Sequence, residues 1–356
     1  MREVWQAFSA QLAELAEVIE AVEGLSDHDR AEGYRYLTRL LRLALEMQLE
    51  HGSARHPSFY SLSHDTAKIG ADNPDNLYLN ANIDGRFDYE ISGHVGTVPY
   101  LSFGTKENRY AIDGRMISTG EVDLGDLEVG GDGHVRLIVS RAQQPGNWLP
   151  VTERSNMVIV RQTFNHRPSE VPARLAIRRL DTQGGYDVLS TADLGGQLER
   201  SIAFVRGTAQ TFRKWVEGFE ARHFNQFSLG DQSFFQAAGG DPNICYIYAF
   251  WRIAEDEAIR VDAQVPPCDL WNFQLTNIWM ESFDYRHHPV HINNAGAVLN
   301  DDGTVTIHIT HEPIDGLTNN LVTTGHLQGV MLMRWIGAEA HPLPKLSIGN
   351  TSELLS

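Results

Sequence analysis

The sequence predicts an α+β protein, mainly β: two related β-sandwich or barrel-like modules, an N-terminal helical hairpin and a helical insert. Three observations predict it. The apolar period shifts from 3.6 to 2 at Leu77. Asp-Gly pairs recur at 84–85, 113–114, 132–133, 302–303 and 315–316, marking tight turns. Segments of the first half also reappear in the same order in the second.

Val4, Phe8, Leu12, Leu15, Ile19 and Val22 recur at helical spacing and predict a first helix. Ser26 followed by Asp29 resembles a capping box with Asp for Glu. The helix it opens carries Tyr34, Leu37, Leu41 and Leu45 on one face. From Leu77 to Ile83, alternate residues are apolar, and Phe87, Tyr89 and Ile91 alternate after Asp84-Gly85, which reads as a hairpin. Leu198, Ile202, Val205, Ala209, Phe212, Val216 and Phe219 form a helical stripe. Tyr246 to Glu257 reads as a further helix or as a strand, being rich in aromatics. The expected domains are 1–70 (helical), 71–192 (first β-module), 193–260 (helical connector) and 261–356 (second β-module).

The repeat is specific. "DGHVRLIVS" at 132–140 parallels "DGTVTIHIT" at 302–310, "NWLP" at 147–150 parallels "NNLV" at 319–322, and "NMVIVRQ" at 156–162 parallels "GVMLMRW" at 329–335. It predicts that Asn147 overlies Asn319 and that Arg161 overlies Arg334.

A formal net charge of −17 argues against nucleic acid and anionic membranes as partners. The two cysteines, Cys245 and Cys268, form no disulfide framework or zinc pattern. The acidic, amphipathic N-terminus does not read as a signal peptide, and no apolar run reaches membrane-spanning length. A soluble, cytoplasmic protein is expected, and a homo-oligomer fits.

Pro313, Asn319, Leu321, Gly325, His326, Gly329, Arg334 and Trp335 follow a pattern that resembles a bacterial domain-of-unknown-function family, the "twelve-fourteen" type. The segments "DEAIRVDAQVPPCDLWNFQLTNIWMESFDY", "NPDNLYLNANIDGRFDYEISG" and "VRQTF" resemble it as well. The resemblance implies two β-modules with helical inserts and gives no reaction. The chain has Asn320 and Val322 where members carry Trp and Asp, so roles resting on those two residues do not carry over.

"WNFQLTNIWMESFDYRHH", residues 271–288, supplies the main candidate site. Trp271, Phe273, Leu275 and Trp279 share one parity, and continuing it adds Asn277 and Glu281. Read as a cavity wall, this face gives an apolar lining in which Glu281 is a general acid or base with a raised pKa. Asp284 is a second carboxylate at its edge. The other reading places Glu281 past the strand end, in solvent or on an arginine. His326 is a candidate proton shuttle, and a core histidine bonded to a carbonyl is the alternative. Tyr78, Asn80 and Asn82 form an uncharged hydrogen-bonding row, and Arg334 joins them as a group that orients oxygens. The late histidines lack a convergent ligand spacing, so no metal and no cofactor are expected.

These residues suggest an enzyme acting on an apolar, oxygenated small molecule such as a terpenoid, steroid or aromatic compound. Its chemistry would be cofactor-independent acid–base work: elimination, hydration, isomerisation or hydrolysis. Glu281, His326 and Asp284 would be catalytic; Trp271, Asn277, Trp279, Tyr78, Asn80, Asn82 and Arg334 would bind substrate. The alternatives are a non-catalytic binding or assembly module and, behind it, a histidine metalloenzyme.

Overall fold

Two copies of one strand order build the protein. The computed structural model describes residues 1–181 and 188–354. The first module holds β1 (Asn76–Asn82), β2 (Tyr89–His94), β3 (Tyr100–Arg109), β4 (Arg115–Asp123), β5 (His134–Ser140), β6 (Trp148–Pro150), β7 (Met157–Thr163) and β8 (Arg174–Arg179). The second holds β9 (Ile244–Arg252), β10 (Glu257–Gln264), β11 (Leu270–Thr276), β12 (His291–Asn293), β13 (Thr304–Thr310), β14 (Asn320–Val322), β15 (Gln328–Ile336) and β16 (Lys345–Asn350). Sheet orders β1-β7-β3-β4 and β6-β5-β2-β8 in the first match β9-β15-β11-β12 and β14-β13-β10-β16 in the second. Adding eight to each strand number converts one module into the other.

The predicted equivalences follow from the register. Asn147 Nδ2 donates to the carbonyls of Glu128 and Arg136 while Oδ1 accepts the Glu128 N–H; Asn319 repeats this with Val298 and Thr306. Arg161 lies between Tyr78 and Ser102, as Arg334 lies between Tyr246 and Asn272.

Each module closes on its own apolar core. Ala81, Ile91, Phe103, Leu137 and Val160 fill the first; Ile247, Trp271, Phe273, Ile307 and Trp335 fill the second. A third core joins the outward faces of β9 and β15 to the helices.

Those helices are α1 (Arg2–Glu14), α2 (Glu17–Glu20), α3 (Asp27–Leu45, continued by a π-helical turn Glu46–Glu50), α4 (Thr191–Arg222), α5 (Gln232–Ala237) and α6 (Thr351–Leu354). Among the described residues no helix is long and apolar enough to cross a membrane. Ser26 caps α3, its hydroxyl accepting the Asp29 N–H, and Ser190 with Asp193 forms a complete capping box on α4. The stripe from Leu198 to Phe219 is buried along α4 as its spacing predicted.

Four expectations are corrected. The first helical stripe is broken at Leu15–Ala16, where the chain turns so that Leu15 and Ile19 bury while Leu12 stays exposed. On α3 the buried face is Gly33, Tyr36, Leu37, Leu40, Leu43 and Ala44; Tyr34 is exposed and donates to Glu20. Asp84-Gly85 closes no hairpin, because β1 pairs with β7 while β2 pairs with β5 and β8 in the opposite sheet. It is a corner, tight because a Cβ on Gly85 would lie 1.9 Å from the Thr152 carbonyl. Finally, residues 244–252 are a strand. β9 pairs with β15 along its whole length, so the second module begins there and not at 261. Both faces of β9 are buried, which erases the period.

Candidate functional site

In both modules the face of the β1- or β9-containing sheet that turns away from its own core carries polar residues, and these faces meet under α4. Residues 76, 78 and 80 of β1 correspond to 244, 246 and 248 of β9, giving the pairs Asn76/Ile244, Tyr78/Tyr246 and Asn80/Tyr248. Arg161 and Arg334 stand on the central strands beside them.

The arginines reach across reciprocally. Arg161 Nη2 donates to the carbonyl of Gly239, just before β9, and Arg334 Nη2 donates to the carbonyl of Ala71, just before β1. Both carbonyl residues have positive φ, Gly239 at 100° and Ala71 at 56°, which turns the two segments back toward the junction. The phenols match as well: Tyr78 Oη accepts the Asn73 N–H at 3.0 Å, and Tyr246 Oη accepts the Asp241 N–H at 2.9 Å.

Between these groups lies a cavity of about 130 Å³. Its floor is Tyr78, Asn80, Arg161, Tyr246, Tyr248 and Arg334, with Asp72 and Asn73 at one side. Its roof is Phe204, Phe212 and Trp215 of α4 and Phe235 of α5. A larger open groove of about 940 Å³ lies beyond and shares Tyr110, Trp215 and Ala238 with the cavity. The partition is held by Tyr110, whose hydroxyl donates to the Ala238 carbonyl at 2.7 Å. The turn carrying Tyr110 rests on α4 at Gly207, where a Cβ would meet the Tyr110 carbonyl at 2.0 Å.

Three buried polar atoms on the cavity's lining residues lack a hydrogen-bond partner: Arg161 Nη1, Asn73 Nδ2 and Asn76 Oδ1. Buried polar groups ordinarily find partners, so this grouping is informative. Burial works against the Arg161 charge, but Asp241 and then Tyr246 hold its pKa above the ordinary value. Burial pushes Tyr246 up to about 12, with Arg161 opposing, and raises Tyr78 against Arg334. Both phenols therefore keep their protons at neutral pH and serve as donors. Burial raises the Asp72 carboxyl against Lys68, and Ser282 donates to it through N–H and hydroxyl.

Of the residues the sequence singled out, Tyr78, Asn80 and Arg334 come together here. The others do not. β11 ends at Thr276, so Asn277 and Glu281 do not continue its apolar face. Trp271 points into the second module's core, 6.2 Å from Trp335. Asn277 organises a tight loop: its Oδ1 accepts the N–H groups of Trp279 and Glu281, and its Nδ2 donates to Glu281. Met280 in that loop has φ 59°. Glu281 is paired with Arg39 at 2.7 Å, the arginine-bound reading, and burial outweighs Arg39 in pushing its carboxyl up. Trp279 ties α3 down by donating from Nε1 to the Asp29 carbonyl.

Asp284 is held by Arg286 at 2.7 Å, which keeps its carboxyl well below the usual range. His326 is buried between Phe283 and His28, with Nδ1 3.0 Å from the Thr323 carbonyl, as a core histidine would be. Asn82 donates to the Met47 and His51 carbonyls and accepts from Tyr60, so it clamps α3 to β1. His291, His308 and His311 contact Asp75, Thr318 and Thr323 respectively, at separate places. No group of three or more metal-binding side chains forms among the described residues.

Arg161, Asn73, Tyr246 and Tyr248 were missed as site residues. Only part of the signal was present: the repeat aligned Arg161 with Arg334, but the equivalence of Tyr78 and Tyr246 emerges only from the strand pairing, Tyr78 with Arg161 and Tyr246 with Arg334.

A crystal structure of an uncharacterised protein from Burkholderia cenocepacia superposes with a TM-score of 0.95, at 42% identity over 98% of this chain and 97% of that one. The chain belongs to that protein's family. A protein from Vibrio parahaemolyticus shares the fold, with a TM-score of 0.50 at 12% identity over 94% of this chain and all of the other. No family model and no curated protein matches the sequence.

Proposed function

We propose that the protein binds a small oxygen-bearing molecule with an apolar body in the cavity between the modules. The observation that carries this reading is the set of unpartnered buried polar atoms on Arg161, Asn73 and Asn76, opposite an aromatic roof. A volume of about 130 Å³ suits a ring or short branched chain better than a steroid or a large terpenoid. Acid–base turnover of that ligand would run through the phenols of Tyr78 and Tyr246, which stand at the cavity; Glu281, His326 and Asp284 stand elsewhere. A binding protein without turnover would use the same floor.

The reading extends to the "twelve-fourteen" resemblance, whose pattern includes Arg334. It also keeps a cytoplasmic location, which suits the free thiols of Cys245 and Cys268, and leaves nucleic acid and membranes aside as partners. Native mass spectrometry of protein purified from its own host should show a retained small molecule, lost on denaturation. An empty protein that no small oxygenated compound stabilises against heat would end the proposal.

A further inference from the structure

The two arginines are equivalent by position but not by use. In Arg334 both terminal nitrogens are engaged: Nη2 with the Ala71 carbonyl, Nη1 with the side-chain oxygens of Gln274 and Asn272. In Arg161 only Nη2 is engaged, with Gly239. Nη1 makes no hydrogen bond, although Asp241 Oδ2 lies 3.7 Å away. That carboxylate is already supplied by the Tyr100 hydroxyl at 3.1 Å, the Ser102 hydroxyl at 2.8 Å and the Asn243 N–H at 3.0 Å. Both terminal nitrogens of Arg334 are thus engaged, and Arg161 keeps one buried, charged donor unpartnered.

Two of the three unmet atoms on the cavity's lining residues are donors. One is Arg161 Nη1; the other is Asn73 Nδ2, whose side chain sits with Asn272 on the Arg334 half. Tyr78 and Tyr246 each spend an acceptor site on a backbone N–H, which leaves their hydroxyl protons to give. A carbonyl or alcohol oxygen accepts two hydrogen bonds at most, whereas a carboxylate accepts about four. The charge of Arg161 is faced by one carboxylate, Asp241, at 3.7 Å.

Building on the proposed binding role of the cavity, we infer that its ligand is a small monocarboxylic acid held in one orientation. The carboxylate lies on Arg161 and the two phenols. The apolar body lies against Phe212, Trp215 and Phe235. A dianion would set a second negative charge near Asp241 and Asp72, and a neutral compound would give Arg161 Nη1 a weaker, uncharged acceptor.

The test is calorimetric titration of the full chain with two matched sets: benzoate, benzamide and benzyl alcohol, then isovalerate, isovaleramide and 3-methylbutan-1-ol. One acid should bind at least tenfold tighter than its amide and alcohol, since charge-assisted hydrogen bonds are roughly twice as strong as neutral ones. Arg161→Met should remove that preference, the acid losing more affinity than the amide or the alcohol. Tyr78→Phe, which removes one donor and keeps the ring, should weaken the acid severalfold and serves if Arg161→Met does not fold. Amide or alcohol binding as tight as acid would overturn the monocarboxylate and leave the cavity reading standing. So would a failure of both acids to bind together with a neutral molecule retained from the host. A failure of all six probes with no retained molecule would overturn both.

Discussion

The unequal use of the two arginines makes a quantitative prediction about stability. Arg334→Met strips the partner from three buried acceptors: the Ala71 carbonyl, Gln274 Oε1 and Asn272 Oδ1. A buried acceptor left unpaired costs about 1–3 kcal/mol, and an apolar side chain in place of a desolvated cation returns part of that. Three acceptors at the lower half of the range give a loss of about 4 kcal/mol. Arg161→Met strips one acceptor, the Gly239 carbonyl, while Asp241 keeps its three other donors. In an Asp241→Asn background, where no buried carboxylate is left without its cation, its loss should be about 2 kcal/mol by the same reasoning. Equilibrium urea unfolding without ligand, read at one pH with the slope checked for constancy, separates the two. Equal losses, or a larger loss for Arg161→Met in that background, would refute the assignment of Arg334 as the clasp and Arg161 as the open donor.

Three further outcomes are expected. Arg39→Met leaves Glu281 buried without its cation and should cost about 3 kcal/mol or more in urea unfolding, with no change in ligand affinity at the cavity; a loss near zero would place the pair in the solvent-screened class. Gly207→Ala should destabilise despite a gain of about 1 kcal/mol in helix propensity, because its Cβ would sit 2.0 Å from the Tyr110 carbonyl and lift that turn off α4; a raised melting temperature would show that the turn is not seated there. Burial, and then His28, hold the His326 pKa below 6.5, with Asp29 and Glu32 of α3 opposing. The unfolded chain then binds a proton where the folded one does not, so stability is full above that value and falls as pH drops below it. The advantage of wild type over His326→Gln should therefore narrow from about pH 7 to about pH 5, and a constant gap would contradict it.

How far the sequence could be read depended on how many sides of an element were buried. Where one face meets a core and the other meets water, the pattern was clear: Asp113-Gly114 closes the β3–β4 turn, and the α4 stripe lies where its spacing put it. The repeat was legible because Asn147 and Asn319 make the same three bonds in a defined loop, which demands that residue type twice. The site was half legible. The strand beginning at Trp271 was read by its apolar parity, which fills the second module. The informative side was the polar one, where Asn272 and Gln274 meet Arg334. Alternation reveals two faces but not whether the polar one meets water or another polar surface. Glu281 was misplaced for a related reason: parity stops at Thr276, and only the Asn277 loop shows where.

The reciprocal clasp has a consequence for the origin of the cavity. Arg161 grips the segment leading into β9, and Arg334 grips the segment leading into β1. Were the halves separate chains of one sequence, the same two contacts would form across a two-fold axis, the self-complementary contact of a symmetric dimer. The protein is in this sense a dimer written as one polypeptide. A true dimer must change both sides of its axis with every mutation, so a cavity on the axis stays palindromic. Tethering released that constraint: Asn80 could face Tyr248, and one arginine could engage both terminal nitrogens while its twin kept one unpartnered. A ligand on the former axis can then have a head and a tail.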